Sequence, residues 1–523
     1  MTKKYDSGTS LNQRILKGVN ILADNVAATL GPKGRNVILQ ESGKRPIITK
    51  DGVTVAQFVT LEDPMENAGA EIIKQASAET NNTAGDGTTT ATVLARAILT
   101  QAQAYLTAGA SPVELKRGMD KAVEAIVDNL DEMAKPISNT VDIEHVATIS
   151  ANGDKTIGKL VAMAVDSVGK DGAIKVEEAR SIETSLDIVE GFQFDSGYMS
   201  PSFITDERRG VVRHEDCYLL VTDHGISSVD EMLPVLEVMA RESRPLVIVS
   251  DNVEGQALAA LIMNSMRGTL KVVSVKAPRY GEERRNILND LALSTGATFI
   301  TRTSDLRVRD VKLEHLGRCR SIEITKNRTT VVGGSGDYDA VETRIEGLNQ
   351  ELANTDSLYD CERIQERISR LASGVAVIHV GAPTEIEMIE KKHRIEDALE
   401  AVRSAQLEGI VPGGGVAIIR ASSSIEVEVE NEQQQLGVEI IKKAVSEPLR
   451  QMAANCGESP DIIVNNLAGA ELHHGYNFST GEIVNLIEAG IIDPVKVTRC
   501  ALQNATSAAG TLLTTNHAII QVI

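Results

Sequence analysis

At 523 residues, with 42% hydrophobic and 24% charged side chains, the chain is too long for one core and has the composition of a globular protein of about two to four domains. A net charge of −20 without any Lys/Arg block argues against a nucleic-acid face and against binding to anionic membranes. Five widely spaced cysteines without a C-x-x-C pattern point to reduced thiols, and no apolar run reaches the roughly 18 residues that a membrane span needs.

The start, "MTKKYDSGTS", has no apolar h-region, so no secretory signal is expected. Ile15, Leu16, Val19, Leu22 and Val26 recur at helical spacing over 10–29, and Gly31-Pro32 stops that helix. "NVILQESGKRPIIT" has two short apolar runs around Ser-Gly-Lys, the signal of a β-hairpin. A helix follows over about 65–80, then "TAGDGTTTATVL" and a helix to about Gly109. Ser111, Pro112 and Glu114 then read as a capping box opening a helix that runs to about Met133, before Pro136.

From about residue 174 the texture changes. Short β-like runs such as "CYLLVTD", "PLVIVS", "LKVVSVKAP" and "ATFIT" alternate with helices, which is α/β texture. After "GVAVIHVGAP" the helical texture returns, with "KKHRIEDALEAVRSAQLEG" and "GVEIIKKAVSEPLRQMAANCG". A helical domain therefore opens and closes the chain, and an α/β domain is inserted in its middle.

Four glycine-rich or acidic turns fall in the helical parts: "LGPKGRN", "TKDGVT", "AGDGTTT" and "VPGGGVAII". Glycine-rich turns are most often only turns. The third stands out, because its glycines let backbone approach a ligand while its threonines open a helix whose dipole favours a phosphate. No lysine follows, as it would in the usual phosphate loop. Asp86 would repel a bare phosphate but suits one that arrives with Mg²⁺. Thr88 as a plain N-cap, worth roughly 0.5–2 kcal/mol, leaves two glycines and three threonines together unexplained. Asp51 and Asp397 are further carboxylates. By itself Asp397 reads as part of a charged helix face, although a hydrolase needs a carboxylate to orient its water.

In this order and spacing, "TLGPKGRNV", "TKDGVTVA", "AGDGTTTATVLA", "ELKRGMDKAV", "TISAN", "IEDALEA", "VPGGGVA" and "DPVKVTR" resemble the group I chaperonins, the bacterial GroEL and mitochondrial Hsp60 family, over essentially the whole chain. The resemblance implies a multidomain α+β and α/β ring-forming fold. An equatorial ATPase domain would span 1–132 and 408–523, an intermediate domain 133–189 and 375–407, and an apical domain 190–374. It implies an ATPase that captures non-native polypeptides and folds them in the cavity of a heptameric ring, single or double, under a GroES/Hsp10-like co-chaperonin. The setting would be the cytoplasm, an organelle matrix or an infected host's cytoplasm.

By motif, Thr29, Leu30, Gly31, Pro32, Lys50, Asp86, Gly87, Thr88, Thr89, Thr90, Gly414, Asn477 and Asp493 match ATP-contacting positions. Asp86 matches the Mg²⁺ ligand, and Thr29, Lys50 and Thr90 match the K⁺ ligands. Asp397 matches the residue that orients the attacking water, with Asp51 assisting. Because the family places Asp397 in the intermediate domain, hydrolysis would await a domain movement. Gly191 and Gly374 match an upper hinge, Pro136 and Gly409 a lower one. Tyr198, Phe203, Leu233, Leu236, Leu258, Ile262 and Met263 match the surface that binds substrate and co-chaperonin. From spacing alone the leucine pairs read as core stripes; only the resemblance turns them outward.

Some positions depart from the family. Ser202 replaces a tyrosine in the apical groove, and Ser196 replaces an arginine that pairs with a neighbour's acid at Glu385. Phe478 in "NFS" brings bulk near the base pocket. Ser459 replaces an acid that pairs with Arg450 across rings, and Ala104 replaces a lysine at a second ring contact, so a weakened double ring is expected. The chain closes on "NHAIIQVI", read as a strand, where family members often continue into a Gly-Met-rich tail. Two alternatives stay open: a single-ring or lid-independent variant, and a binding scaffold with reduced ATPase. A metabolic phosphotransferase lacks any small-substrate motif.

Overall fold

The computed structural model describes residues 2–522 apart from Ser42, Lys44, Arg45, Lys170, Asp171, Arg180, Asp305, Asp356 and Ser373. The chain divides into two compact units, one of 1–163, 178–184 and 380–523, the other of 164–177 and 185–379.

Long helices build the first unit: Gly8–Ala27, Pro64–Ala84, Thr88–Thr107, Pro112–Met133, Glu432–Ala444 and Val495–Thr514. They share an aliphatic core that includes Leu22, Ile73, Leu94, Ile126, Ile441 and Leu502. With so few aromatics, close helix approach takes the place of large side chains. Where Pro112–Met133 crosses Glu432–Ala444, a Cβ on Gly118 would lie 1.9 Å from Gln434 O, and one on Gly437 would lie 2.2 Å from Leu115 O. Only glycine fits either place.

Both ends of the chain meet in this unit, where strand Thr2–Ser7 pairs antiparallel with His517–Val522. The expected hairpin forms between Val37–Leu39 and Ile47–Thr49, with Ile38 opposite Ile48; Ser42 and Lys44 of its turn lie outside the described residues. Two helical boundaries differ from expectation. Ser111 is an N-cap without a side-chain cap bond, and its amide is taken by Gln433 at 2.8 Å. Glu114 instead accepts from Arg117, Asn431 and Gln434, because partners from the neighbouring helix outcompete a return to the cap. The N-cap of Thr88–Thr107 is Gly87 with φ 88°, not Thr88, which is already the first helical residue.

In the second unit an eight-stranded sheet runs Val272–Lys276, Leu246–Ser250, Val212–Val221, Gly317–Ile324, Thr329–Gly334, Ser185–Phe194, Gly374–Val380, Ile174–Glu178. The first three strands are parallel, as α/β texture implies, and Val212–Val221 passes to an antiparallel partner at Gly317–Ile324. Phe192, Phe194 and Phe203 fill the core beside Val247 and Leu288. "ATFIT" contributes no strand, only a bridge between Thr222 and Ile300.

Candidate functional site

The four turns singled out in the sequence are brought together within the first unit. After the helix Gly8–Ala27, Thr29 is buried and its hydroxyl donates to Val26 O at 2.8 Å. Asn455 clamps this turn by donating to Ala27 O and Leu30 O, both at 2.9 Å. Gly31 takes φ 84° with Met452 against it.

Asp51 caps the short helix Gly52–Phe58, accepting from the amides of Val53 and Thr54 and from the Thr54 hydroxyl. Its neighbour Gly52 lies against the threonines that open the next long helix: a Cβ there would stand 2.3 Å from Thr89 Oγ1 and 2.9 Å from Thr88 Oγ1. Thr89 Oγ1 in turn lies 3.5 Å from Thr29 Oγ1. Three segments distant in sequence thus converge on one helix start.

That helix start is prepared for an anion. No side chain caps it, and among the described residues no acceptor takes the amides of Thr88, Thr89 or Thr90. Unpaired first-turn amides and the helix dipole together favour negative charge. Yet the rim is acidic. Asp86 accepts from the Gly87 amide and, at 3.0 Å, from the Ser150 hydroxyl. Burial pushes its carboxyl above the usual range, the two donors oppose that, and nearby Asp51 adds to it. Asp493 is pushed up to about 6, first by burial and then by Asp86, against a bond from the Gly414 amide. It is held on the strand pair Ile410–Pro412 and Ile492–Pro494, opposite Val411.

Carboxylates that burial and mutual repulsion drive toward protonation are relieved by a cation. Among the described residues no three His, Cys, Asp or Glu groups converge to hold a metal by themselves. A metal here would draw its remaining ligands from the phosphate that the amides and glycines accommodate. The residues therefore fit a metal-bound phosphate group better than either component alone.

Lys50 lies partly buried beside Asp51, its pKa lowered by burial, raised by Glu390 and lowered by Arg394. Both influences come from the helix Glu385–Glu408. Closer to its C-terminus, that helix presses Glu400 against Gly85, where an added Cβ would lie 2.2 Å from Glu400 Cβ, and Ser404 donates to Ala84 O at 2.7 Å. Asp397, half-buried, stands between these two contacts. The helix thus runs past the acidic turns on both sides of it.

The paired hinge candidates also meet. Lys135 and Ile410 exchange two backbone bonds, which sets Pro136 beside Gly409. Gly374 lies opposite Glu190, next to Gly191, on adjacent antiparallel strands.

Three residues absent from the sequence reading belong to the site: Ser150, Asn455 and Glu400. Ser150 was legible only as the centre of "TISAN". Two further expected features have local partners. Phe478 is buried, edge-on to Tyr476 at 5.0 Å, in the small core against which Leu30 packs. Its bulk is therefore taken up by packing. Asn477 uses its side-chain oxygen locally, accepting from the Ser479 amide at 3.0 Å.

In the second unit, Leu233 and Met263 are 46% and 47% exposed, and Leu258 and Ile262 are half-buried. Leu236 and Phe203 are buried in the core, while Tyr198 is half-buried and bridges to Val275. The helices Val229–Glu242 and Gly255–Met266 thus each divide their apolar residues between core and surface. Met266, 71% exposed, adds to the surface set.

The model of the TCP-1/cpn60 chaperonin family matches residues 22–522. The chain belongs to that family. This chaperonin is also similar to two crystal structures of the chaperonin gp146 from the bacteriophage EL 2 (Pseudomonas aeruginosa), both in the presence of ATP-BeFx. The TM-scores are 0.65 and 0.62 at 23% and 22% identity, with 99% of each chain covered. Family and fold together make it a protein-folding chaperonin. Among its described residues no helix is long and apolar enough to cross a membrane.

Proposed function

We propose that this chaperonin binds and hydrolyses ATP at the start of helix Thr88–Thr107 and uses the cycle to capture and release non-native polypeptides inside a homo-oligomeric ring. The observation that carries the reading is the uncapped helix start, with free amides on Thr88, Thr89 and Thr90, facing the raised-pKa carboxylate of Asp86. The phage chaperonin crystallised with ATP-BeFx supports it.

In this reading the amides of Thr88–Thr90 take the phosphates, Asp86 holds Mg²⁺, and Thr29, Lys50 and Thr90 hold K⁺. The metal supplies neutralisation of phosphate charge when bound. Gly414, Asn477 and Asp493 line the nucleoside side. Asp397 orients the attacking water toward the terminal phosphate. Asp51, fixed by three donors, keeps the opposite wall rigid. The three-part division into equatorial, intermediate and apical domains, with hinges at Pro136/Gly409 and Gly191/Gly374, would let the helix of Asp397 open and close on the nucleotide. Leu233, Leu258, Ile262 and Met263 offer apolar surface to an unfolded chain and to a GroES/Hsp10-like co-chaperonin. A cytoplasmic setting, including that of an infected host, fits reduced cysteines; all five are free.

The test is ATP turnover with Mg²⁺ and K⁺, together with ATP-dependent refolding of a denatured substrate. Asp397→Ala is expected to bind ATP within a few-fold of wild type and to lose about 10²-fold or more in turnover. Unchanged turnover in that variant would remove Asp397 from the mechanism. Absence of turnover in the wild type would favour the scaffold alternative.

A further inference from the structure

A cleft of about 340 Å³ in the first unit shares no lining residue with the proposed nucleotide turns. The opening turns of helix Lys155–Val168, the stretch around Thr184 and Lys391 on helix Glu385–Glu408 form its walls. Ile157, which is buried, with Leu160 and Met163, 59% exposed, gives it an aliphatic lining. Lys155, Lys159 and Lys391 stand around that lining.

Three cations at one cleft are unexpected in a chain of net charge −20. Their neighbours behave ordinarily: Lys392 pairs with Glu178 at 2.9 Å and Arg394 with Asp154 at 3.2 Å. Asp154, next to Lys155 in sequence, also caps the helix at the amides of Thr156 and Ile157, and Glu390, next to Lys391, pairs with Arg394 at 2.8 Å. Among the described residues, no carboxylate pairs with Lys155, Lys159 or Lys391. Lys391 is instead held by a bond to Gly381 O at 3.4 Å. Lys155 and Lys159 are one helical turn apart, where like charges oppose each other. The cleft therefore combines an apolar lining, a volume in the range of small-molecule sites and uncompensated positive charge.

We propose that this cleft binds a small anionic amphiphile, a carboxylate or phosphate on an unbranched aliphatic body. Its head would be shared by Lys155, Lys159 and Lys391, and its chain would lie on Leu160 and Met163. An aliphatic body suits a lining of Ile157, Leu160 and Met163, without an aromatic ring to stack on. A compact ammonium cluster, unlike a guanidinium fork, imposes no planar geometry on the head group.

Calorimetric titration of the full-length protein with decanoate and with decyl phosphate tests the assignment, with decanol as the uncharged comparator. At least one of the two anions is expected to bind at one site per protomer, and whichever binds more tightly identifies the head group. Lys159→Glu and Lys391→Gln should each weaken that binding, the first by about tenfold or more, as should replacing the anion by decanol. Met263→Ser, in the exposed apolar surface of the second unit, should leave it unchanged. Lys159 is exposed, so its variant folds as the wild type does, and the Lys391 variant provides an independent measure. Binding that persists in both lysine variants, that falls with Met263→Ser, or that is equally tight for decanol would overturn the proposal. So would failure of both anions to bind.

Discussion

The Ser150 hydroxyl donates to Asp86 Oδ2 at 3.0 Å, although the two residues are 64 positions apart. Ser150 closes the helix Thr140–Ser150, and Asp86 precedes the helix that opens at Thr88. The bond favours the ionised carboxylate at a place where burial disfavours it. With the Gly87 amide on the other oxygen, it also fixes the orientation of the carboxylate. Ser150→Ala is therefore expected to raise the Mg²⁺ concentration for half-maximal ATP turnover by about tenfold. Folding stability should fall by only about 1 kcal/mol. A Mg²⁺ titration of turnover beside a denaturant melt separates the two effects. An unchanged Mg²⁺ requirement would mean that Ser150 does not position Asp86.

Asp493 supplies a pH dependence. Its carboxyl is pushed up to about 6 by burial and by Asp86, whereas an unfolded chain's aspartate titrates near the ordinary value of 3.8. Between those values the folded state holds the proton and the unfolded state does not. Stability from this group thus increases as pH falls from about 7 toward 4, and above 6 the buried charge is a cost. Asp493→Asn removes that cost and keeps an acceptor for the Gly414 amide. The nucleotide-free variant should melt at a higher temperature than the wild type at pH 8, with the gap closing by pH 4. Melting curves over that range check it; a gap that stays constant with pH would exclude Asp493 as the titrating group.

Much of this site was legible in the sequence, because its parts are local backbone devices with strong residue signatures. The glycines of "AGDGTTT" mark a turn that opens a helix, and Gly31-Pro32 ends one. What periodicity and turn chemistry do not carry is the meeting of such devices. That Gly52 packs against Thr89, or that Asn455 clamps Leu30, follows from long-range packing, which neither local pattern nor family resemblance indicates. The capping box at Ser111 shows the converse. Its local pattern is correct, yet Asn431 and Gln434 take Glu114 from a helix more than three hundred residues away. Likewise spacing alone cannot assign Leu233 to solvent and Leu236 to the core.

That last division separates recognition from folding. Leu233 and Met263 are nearly half exposed, while Leu236 and Phe203 are 5% and 1% exposed. Leu233→Ser and Met263→Ser should reduce capture of a denatured substrate several-fold, measured by suppression of its aggregation, with melting temperature almost unchanged. Leu236→Ser and Phe203→Ser should cost about 2–5 kcal/mol of stability, because each leaves a cavity and a buried hydroxyl. Equal destabilisation by all four would place Leu233 and Met263 in the core as well.

The ring contact can be argued from Arg450. Its guanidinium is engaged within the chain, 2.7 Å from Asp461 and bonded to the Ser446 hydroxyl at 3.2 Å. Ser459, where the family resemblance implies an acid that pairs across rings, is exposed and has no charge to offer a second ring. Ala104 is exposed as well and lacks the lysine of the other contact. Each lost surface pair is worth only about 0–1 kcal/mol, but the loss recurs at every subunit of a ring. Native mass measurement at low protein concentration, with and without ATP, is therefore expected to find single rings in at least one nucleotide state. Ser459→Glu restores an acid within the reach of a partner ring and should shift the population toward double rings, the more so at low salt. A double ring in every nucleotide state, unaffected by Ser459→Glu, would show that other contacts hold the rings together.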